Sequence, residues 1–301
     1  MNRHQRTLVA LSDSPTDQGL VRYAQLQAKL GFARHYHFVH VRTPAQIAGD
    51  ARPESQILRT MEELVGEHFG SANSRVTTSC HVLTGVRVDQ LLEFISAQRC
   101  DLVLLGHRKD RSGQRSLARR LAMIAPSSVW MVPEGAPLTL SEIMAPTDLS
   151  DHSADSVHVA ADIAKGAGLK RCVVTHIFSD PAIIRYDEHD DEVRKNEQAA
   201  FDKFIGPIDC QGIDMQPYFM EGYNIAHTIL HAAKEYGSDL LVMSTRGRSR
   251  AASILLGSVT SQVMTESPIA ILAVKHFGAM MNLFQALKES RIWTQNDPKT
   301  N

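Results

Sequence analysis

An internal repeat constrains the fold of this chain more than any other feature of its sequence. An apolar segment at 7–13 (TLVALSD) opens the first copy, and a similar segment at 143–148 (IMAPTD) opens the second. A stretch with helical spacing of apolar residues follows each segment and ends at Gly31 or Gly168, a residue type common just beyond helix C-termini. The copies are displaced by roughly 135 residues, the usual size of one domain.

The later segments of the two copies also correspond in order and type. Each copy next has an apolar run with a His followed by an aliphatic residue, His40-Val41 and His176-Ile177, which predicts a buried parallel strand. A charged helix, a strand ending in glycine, a second helix and two more strands complete each copy. Strands that alternate with helices predict a parallel sheet with helices on both faces. We therefore expect an α/β fold with two tandem open parallel five-stranded sheets.

The composition argues against several classes of protein. No run in the 301 residues approaches the ~18 apolar residues of a membrane span, and the N-terminus lacks a signal-peptide core, so we expect a cytoplasmic protein without membrane contact. The net charge of −1 lacks the basic excess that favours nucleic acid. The four cysteines are far apart and form no CxxC pair, which predicts reduced thiols rather than a zinc site.

The loop after the strand at 239–244 of the second copy carries the strongest functional signal. Ligands of open parallel sheets lie beyond the carboxyl ends of the strands. Small residues at Ser244, Gly247 and Gly257 allow backbone N–H groups to approach phosphate oxygens. Ser258 stands where a helix is expected to begin, with its free amides pointing outward. The sequence therefore predicts a polyphosphate site, with the amides of residues 247 and 257–259 converging on one anion.

The spacing of this loop, small-x-x-Gly, nine residues, then Gly-Ser, resembles the nucleotide loop of the universal stress protein family. The resemblance extends to the Pro-Thr-Asp and His-Ile strand ends and to the final strand Pro-Ile-Ala-Ile-Leu, and so covers nearly all of both halves. It implies the tandem-domain type of the family, with an adenine nucleotide alpha-hydrolase-like fold. Universal stress protein domains would span 1–138 and 139–278. Beyond them, at 279–301, the apolar residues of 279–288 share one helical face, which predicts a packing helix, or alternatively a partner-binding helix, before a loose tail.

The resemblance further implies that the two halves reproduce, within one chain, the dimer of single-domain relatives. The last strands, at 128–132 and 269–274, would pair across a pseudo-two-fold axis and cover edges otherwise exposed. A monomer with this internal pseudo-dimer and a homodimer of whole chains both remain open.

By the same resemblance, the second copy would bind ATP, with or without Mg²⁺. Asp148 with Pro146 and Ile177 would face the adenine. Met243 and Ser244 would lie by the ribose. The phosphates would be cradled by Gly247, Gly257, Ser258 and Val259. Ser244 replaces the family's usual glycine, which costs nothing if its φ is negative but crowds the ribose if a positive φ is required.

The corresponding loop of the first copy departs from the pattern. Lys109 stands where Gly247 does in the second copy, no Gly-Ser precedes the last helix, and the segment is shorter by about four residues, which a phosphate cradle accommodates poorly. We expect no ATP in the first half. Its basic residues can attract an anionic ligand or partner, although such a cluster is more often a solvated face. These residues are Arg108, Lys109, Arg111, Arg115, Arg119 and Arg120.

Other polar residues offer weaker signals. Strand geometry puts His35 and His37 on one face and His40 on the other, so no shared metal site is predicted. Structural hydrogen bonds at the strand ends are expected for His40 and His176. Arg246, Arg248 and Arg250 fit either phosphate neutralisation or a solvated loop tip. No Walker loop and no acid–base constellation is present, so no catalytic residue is assigned.

The leading hypothesis is a cytoplasmic stress-response binding or signalling module. ATP held by the second half would order the 244–260 loop and change a surface read by a protein partner, which the sequence does not identify. Two alternatives stay open. One is a slow ATP hydrolase, a weak ATPase at most. The other is a nucleotide-independent scaffold or small-ligand carrier.

Overall fold

The computed structural model describes residues 4–69, 76–107, 112–179, 187–247 and 256–275, with backbone alone at 112–116 and 187–190. The first half runs β1 (Arg6–Leu11), α1 (Asp17–Lys29), β2 (His35–Arg42), α2 (Pro44–Gly49), α3 (Glu54–Phe69), β3 (Thr77–Thr84), α4 (Arg87–Gln98), β4 (Leu102–His107), α5 (Ser112–Ile124) and β5 (Ser128–Pro133). The second runs β6 (Ile143–Thr147), α6 (Asp151–Gly166), β7 (Arg171–Phe178), α7 (Asp187–Ile205), β8 (Asp214–Glu221), α8 (Ile225–Glu235), β9 (Leu240–Ser244), α9 (Ser258–Glu266) and β10 (Ala270–Val274).

The strands form one sheet in the order β3-β2-β1-β4-β5-β10-β9-β6-β7-β8. All pairings within a half are parallel, as predicted. β5 and β10 pair antiparallel, with Trp130 opposite Leu272. This confirms the expected pairing of the last strands, which joins two five-stranded sheets into one ten-stranded sheet. Every residue of β5 and β10 is buried, so the junction lies in the middle of the core.

Helices cover both faces of the sheet, as the alternating pattern predicts. One apolar cluster joins the sheet to α1, α3, α6 and α7, and the other joins it to α4, α5, α8 and α9. Burial on both faces is the reason that the central strands read as continuous apolar runs. Within the described residues, no helix is long and apolar enough to cross a membrane.

Glycines end the first helix of each half as expected. Gly31 and Gly168 have φ values of 72° and 73°, a conformation that glycine adopts without steric cost. A different glycine allows the halves to pack closely: a Cβ at Gly166 would lie 2.7 Å from the carbonyl oxygen of Leu30. The end of α6 therefore rests directly on the backbone at the end of α1.

The structure also fixes the correspondence between the halves. His40 Nδ1 lies 3.2 Å from the carbonyl oxygen of Leu11, and His176 Nδ1 lies 2.8 Å from that of Thr147, which confirms the structural role expected for both histidines. Both pairs give an offset of 136 residues (176 − 40 and 147 − 11). Ser12, rather than Asp13, therefore corresponds to Asp148.

Several residues named from the sequence lie outside the described part of the chain. These are the C-terminal helix and tail from 279 onward, the loop arginines Arg248 and Arg250, and Arg108, Lys109 and Arg111 of the first copy. Arg115 is described by its backbone only.

Candidate functional site

A cavity of about 680 Å³ opens at the carboxyl ends of β6, β7 and β9. Its volume falls within the range of small-molecule sites, ~300–1,000 Å³. All nine residues predicted from the sequence lie in its wall: Pro146, Asp148, Ile177, Met243, Ser244, Gly247, Gly257, Ser258 and Val259. Residues that are scattered over 114 positions of the sequence (259 − 146 + 1) thus border one space.

Asp148 is held in place by the turn between β6 and α6. Leu149 has a φ of 59°, which turns the chain sharply, and Ser150 caps α6 by accepting a hydrogen bond from the Ser153 N–H at 3.4 Å. The Ser150 N–H and hydroxyl both donate to Asp148 Oδ1, at 3.2 Å and 2.5 Å. One carboxylate oxygen is therefore anchored, and the other is directed towards the loop after β9.

Gly247 allows that loop to approach the carboxylate. A Cβ built on Gly247 would lie 2.6 Å from Asp148 Oδ2, so a side chain here would require the carboxylate or the loop to shift. The φ of Gly247 is not in the left-handed region. The requirement for glycine here is therefore one of space and not of backbone conformation.

Ser244 adopts an ordinary backbone conformation at the end of β9. Its φ is not positive, so the crowding that a positive φ would cause does not arise. Its hydroxyl donates to the carbonyl oxygen of Arg246, and its own carbonyl accepts from Thr260 Oγ1 at 2.8 Å. The Thr260 bond ties the end of β9 to the first turn of α9.

α9 begins at Ser258, as predicted, with Gly257 as the residue that precedes it. The Gly257 N–H donates to the carbonyl oxygen of Thr245 at 2.8 Å, so it is already engaged and corrects the expectation that this amide faces an anion. The first bond of the helix runs from Ser261 N–H to the Gly257 carbonyl, 2.9 Å. Helix geometry leaves the three intervening N–H groups, at 258–260, without an intrahelical acceptor, which makes an anion-binding end.

The opposite wall of the cavity is largely apolar. Ile177 and Met243 are buried, and Ile229 of α8 lies beside them in the wall. The neighbouring His176 is held between the Thr147 carbonyl and Glu197, whose Oε2 lies 3.5 Å from His176 Nε2. One end of the cavity thus suits a flat apolar group, and the other suits an anion.

A family model described as "Universal stress protein family" matches residues 4–133 and 140–275. The chain belongs to the universal stress protein family. Its two matched ranges together span most of the sequence, and each contains one five-stranded half.

Two curated universal stress proteins are each similar to less than half of the length of this chain. A protein from Thermus aquaticus is 27% identical over 128 residues, which is 42% of this chain and 93% of that relative. A protein from Methanocaldococcus jannaschii is 28% identical over 139 residues, 44% of this chain and 81% of the relative.

Two solved structures share the whole tandem arrangement. A putative universal stress protein from Pseudomonas aeruginosa aligns with a TM-score of 0.72 at 18% identity, covering 95% of this chain and 98% of the other. One from Archaeoglobus fulgidus aligns with a TM-score of 0.67 at 13% identity, covering 90% and 96%. At these identities the likeness is one of fold.

The two universal stress protein halves differ at the site. The first half has a smaller cavity, about 300 Å³. Its Asp17, at the position of Ser153 (17 + 136), accepts hydrogen bonds from the N–H groups of residues 12–14 at 2.8 to 3.3 Å. Asp13 forms an ion pair with Arg52 at 2.5 Å. The carboxylates of this loop are engaged in holding its backbone and a neighbouring arginine.

The sequence analysis missed residues that reach the second-half cavity from elsewhere. Arg119 and Met123 of α5, in the first half, line its wall. By sequence Arg119 belongs to the basic cluster of the first half, and no local signal relates it to the other half. Only the β5–β10 pairing brings α5 against α9.

A buried lysine fixes the end of α5. Lys275, which follows β10, donates from Nζ to the carbonyl oxygens of Ala122 at 2.6 Å and Met123 at 3.1 Å. Burial, with a smaller contribution from the nearby Arg246 charge, lowers the pKa of Lys275 to about 7. The lysine bonds to the last carbonyls of α5, where a cation is favoured.

His37 of β2 and His81 of β3 share one serine hydroxyl. His37 Nδ1 and His81 Nε2 each lie 2.8 Å from the hydroxyl oxygen of Ser79. Burial lowers the pKa of His37 to about 4, and the neighbouring His81 adds to this effect. No group of three or more His, Cys, Asp or Glu side chains suited to a metal ion occurs among the residues described.

Proposed function

We propose that the C-terminal half binds ATP in the cavity at the ends of β6, β7 and β9, and that the protein acts as a stress-response binding module. The observation that carries this proposal is the meeting, in one cavity, of all nine residues that the family resemblance implies for a nucleotide site. The cavity also combines an apolar end with a helix N-terminus, as a nucleotide requires.

Met243 and Ser244 would lie by the ribose, and the adenine would lie between Pro146 and Ile177. Their side chains offer apolar surface to the flat ring, and Asp148 offers a carboxylate to the amino group of adenine. A carboxylate is an acceptor only, so this end would favour a base with an exocyclic donor. GTP, which presents a carbonyl at the equivalent ring position, would bind less well.

The phosphates would lie against the first turn of α9. The N–H groups at 258–260 and the positive end of the helix dipole favour negative charge, and Arg246 lies in the same wall. Gly247 and Gly257 would contribute small size rather than hydrogen bonds, since the Gly257 N–H bonds to Thr245. Mg²⁺, where it accompanies ATP, would coordinate mainly to the phosphate oxygens.

Binding without rapid turnover is the form of this function that we favour. Asp148 is the carboxylate of the cavity wall among the described residues, and we assign it to the amino group of adenine rather than to a water attacking the γ-phosphate. Hydrolysis needs a base within hydrogen-bond reach of that water. ATP would instead change a surface read by a protein partner; most of the 244–260 loop that the sequence assigns to this change, residues 248–255, lies outside the described residues. The four free thiols suit the reducing cytoplasm, where we place the protein.

Isothermal titration of the nucleotide-free protein tests the proposal. We expect one ATP per chain, weaker binding of GTP, and loss of binding in Gly257→Asp, which puts a carboxylate at the anion-binding end of α9. Absence of ATP binding, with no thermal shift on adding ATP, would favour the nucleotide-independent scaffold, because a ligand that binds only the folded state must raise its stability. Steady ADP release abolished by Asp148→Ala or Ser258→Ala would favour the hydrolase.

A further inference from the structure

A helix of the N-terminal half forms part of the wall of the C-terminal cavity. Arg119 and Met123 of α5 lie one helical turn apart, on the same face, and both line the cavity. The wall also contains the first turn of α9, residues 258–261. An arginine from one half and the anion-binding helix end of the other thus border the same space.

The position of Arg119 is fixed from both sides of the junction. Lys275 donates to the carbonyl oxygens of Ala122 and Met123, which ties the end of α5 to the end of β10. α5 is itself covered by the apolar cluster that includes Ala118 and Leu121. The backbone that carries Arg119 is therefore held against the second half without any ligand.

The guanidinium of Arg119 has hydrogen-bonding capacity to spare. Within the part of the chain that the structure describes, its Nε is shielded from solvent and has no hydrogen-bond partner. A buried donor without an acceptor is costly, and an arginine offers five donors in a planar fork that matches phosphate. Arg120, the next residue, is exposed and provides a matched comparison.

We propose that Arg119 of the N-terminal half binds the phosphate groups of the nucleotide held by the C-terminal half. This inference rests on the proposed ATP site and adds a residue to it from the other half. The N-terminal half, which departs from the nucleotide-loop pattern, thereby contributes to nucleotide binding through one side chain. Because that side chain meets phosphate only, its contribution grows with the number of phosphates and is absent for adenosine.

Titration of the full chain with ATP and with adenosine tests this role. We expect Arg119→Ala to weaken ATP binding about 10- to 100-fold, the effect of losing a charge-assisted hydrogen bond, and to leave adenosine binding unchanged. Arg119→Lys keeps the charge but not the fork and should lose less. Arg120→Ala removes the same charge from the adjacent exposed position and should change ATP affinity by less than about twofold, as surface charges do.

The outcomes separate this inference from the function on which it rests. If the wild-type protein binds no ATP, the proposed function itself is wrong. If it binds ATP and Arg119→Ala binds equally well, only the role of Arg119 is wrong. Equal losses for ATP and adenosine, or equal losses in Arg120→Ala, would also overturn it, because they indicate a disturbed wall or a general charge effect. Should Arg119→Ala fail to fold, Arg119→Gln retains much of the aliphatic stem, and wild-type ATP binding by that variant would overturn the inference.

Discussion

Replacement of Gly247 with alanine should weaken ATP binding at least tenfold and lower the free energy of unfolding by about 1–3 kcal/mol. The cause is a single contact. The added Cβ would lie 2.6 Å from Asp148 Oδ2, whereas ordinary contact begins at 3.4 Å. The carboxylate or the loop must therefore move by roughly 0.8 Å, a value obtained from these two distances.

Retreat of the carboxylate is resisted by its anchors. Ser150 donates two hydrogen bonds to Asp148 Oδ1, from N–H and from the hydroxyl, and a hydrogen bond to a charged group contributes ~1.5–3 kcal/mol. Alanine adds no backbone strain, since the φ of Gly247 is not positive. The predicted cost is thus one weakened charged hydrogen bond or an equivalent displacement of the loop, and either change moves a wall of the nucleotide cavity.

A double-mutant cycle in chemical denaturation isolates the contact. In the Asp148→Ala background the Cβ has space, so Gly247→Ala should cost less than about 0.5 kcal/mol. Gly66→Ala is the matched control: this glycine is exposed in α3 with nothing within 4 Å of the added atom, and it should gain about 0.5–1 kcal/mol. An equal loss of stability in both Asp148 backgrounds would refute the contact as the cause.

Three further predictions concern packing and pH. Gly166→Ala should lower the free energy of unfolding by about 1–3 kcal/mol, since its Cβ meets the Leu30 carbonyl at 2.7 Å, and wild-type stability in denaturant would contradict this packing. The pKa of Lys275 is lowered from 10.5 to about 7, so between these values the folded protein binds fewer protons than the unfolded chain. The free energy of unfolding should therefore rise from pH 7 to 9, by up to about 1.4 kcal/mol per pH unit. This rise should disappear in Lys275→Met. The pKa of His37 is lowered from 6.5 to about 4, so the unfolded state binds more protons than the folded state between these values. The free energy of unfolding should therefore fall by on the order of 1 kcal/mol as pH falls from 7 to 5. Denaturation at both pH values checks this, and the loss should be absent in His37→Asn.

The sequence predicts most of the fold because its signals are local and occur twice. Apolar runs, helical spacing and the glycines at 31 and 168 each specify an element or its end without reference to distant residues. The short helix α2 is missing from that prediction, although its capping box is readable: Thr43 accepts from the Gln46 N–H, and Pro44 occupies the first turn. The repeat does not indicate α2, because this helix lies in a stretch where the two copies differ.

The correspondence between the halves shows the limit of local signals. Both opening segments end in aspartate, which suggests that Asp13 matches Asp148. The hydrogen bonds of His40 and His176 give an offset of 136 and place Ser12 there instead. A shift of one residue reverses the face to which a strand residue points, and only the pairing of neighbouring strands resolves it.

The candidate site was predictable to the extent that it belongs to one half. The nine expected residues follow strands of a single parallel sheet, whose carboxyl ends must meet at one edge. Arg119 and Met123 were not predictable from their own surroundings, because their place in the cavity depends on the antiparallel pairing of β5 with β10. A contact between the two halves leaves no periodic pattern of apolar residues in the sequence of either half.

The loop after the first strand explains why a single change would not give the N-terminal half a nucleotide site. In the second half the hydroxyl of Ser153 supports the turn, and the Asp148 carboxylate borders the cavity. In the first half the carboxylate of Asp17 supports the turn, bonded to the backbone at 12–14. An aspartate introduced at Ser12 would stand beside that buried charge, and two carboxylates sharing a site cannot both ionise without cost. A nucleotide site in the first half would therefore require two changes together, one at Ser12 and one at Asp17, because the same loop holds both residues.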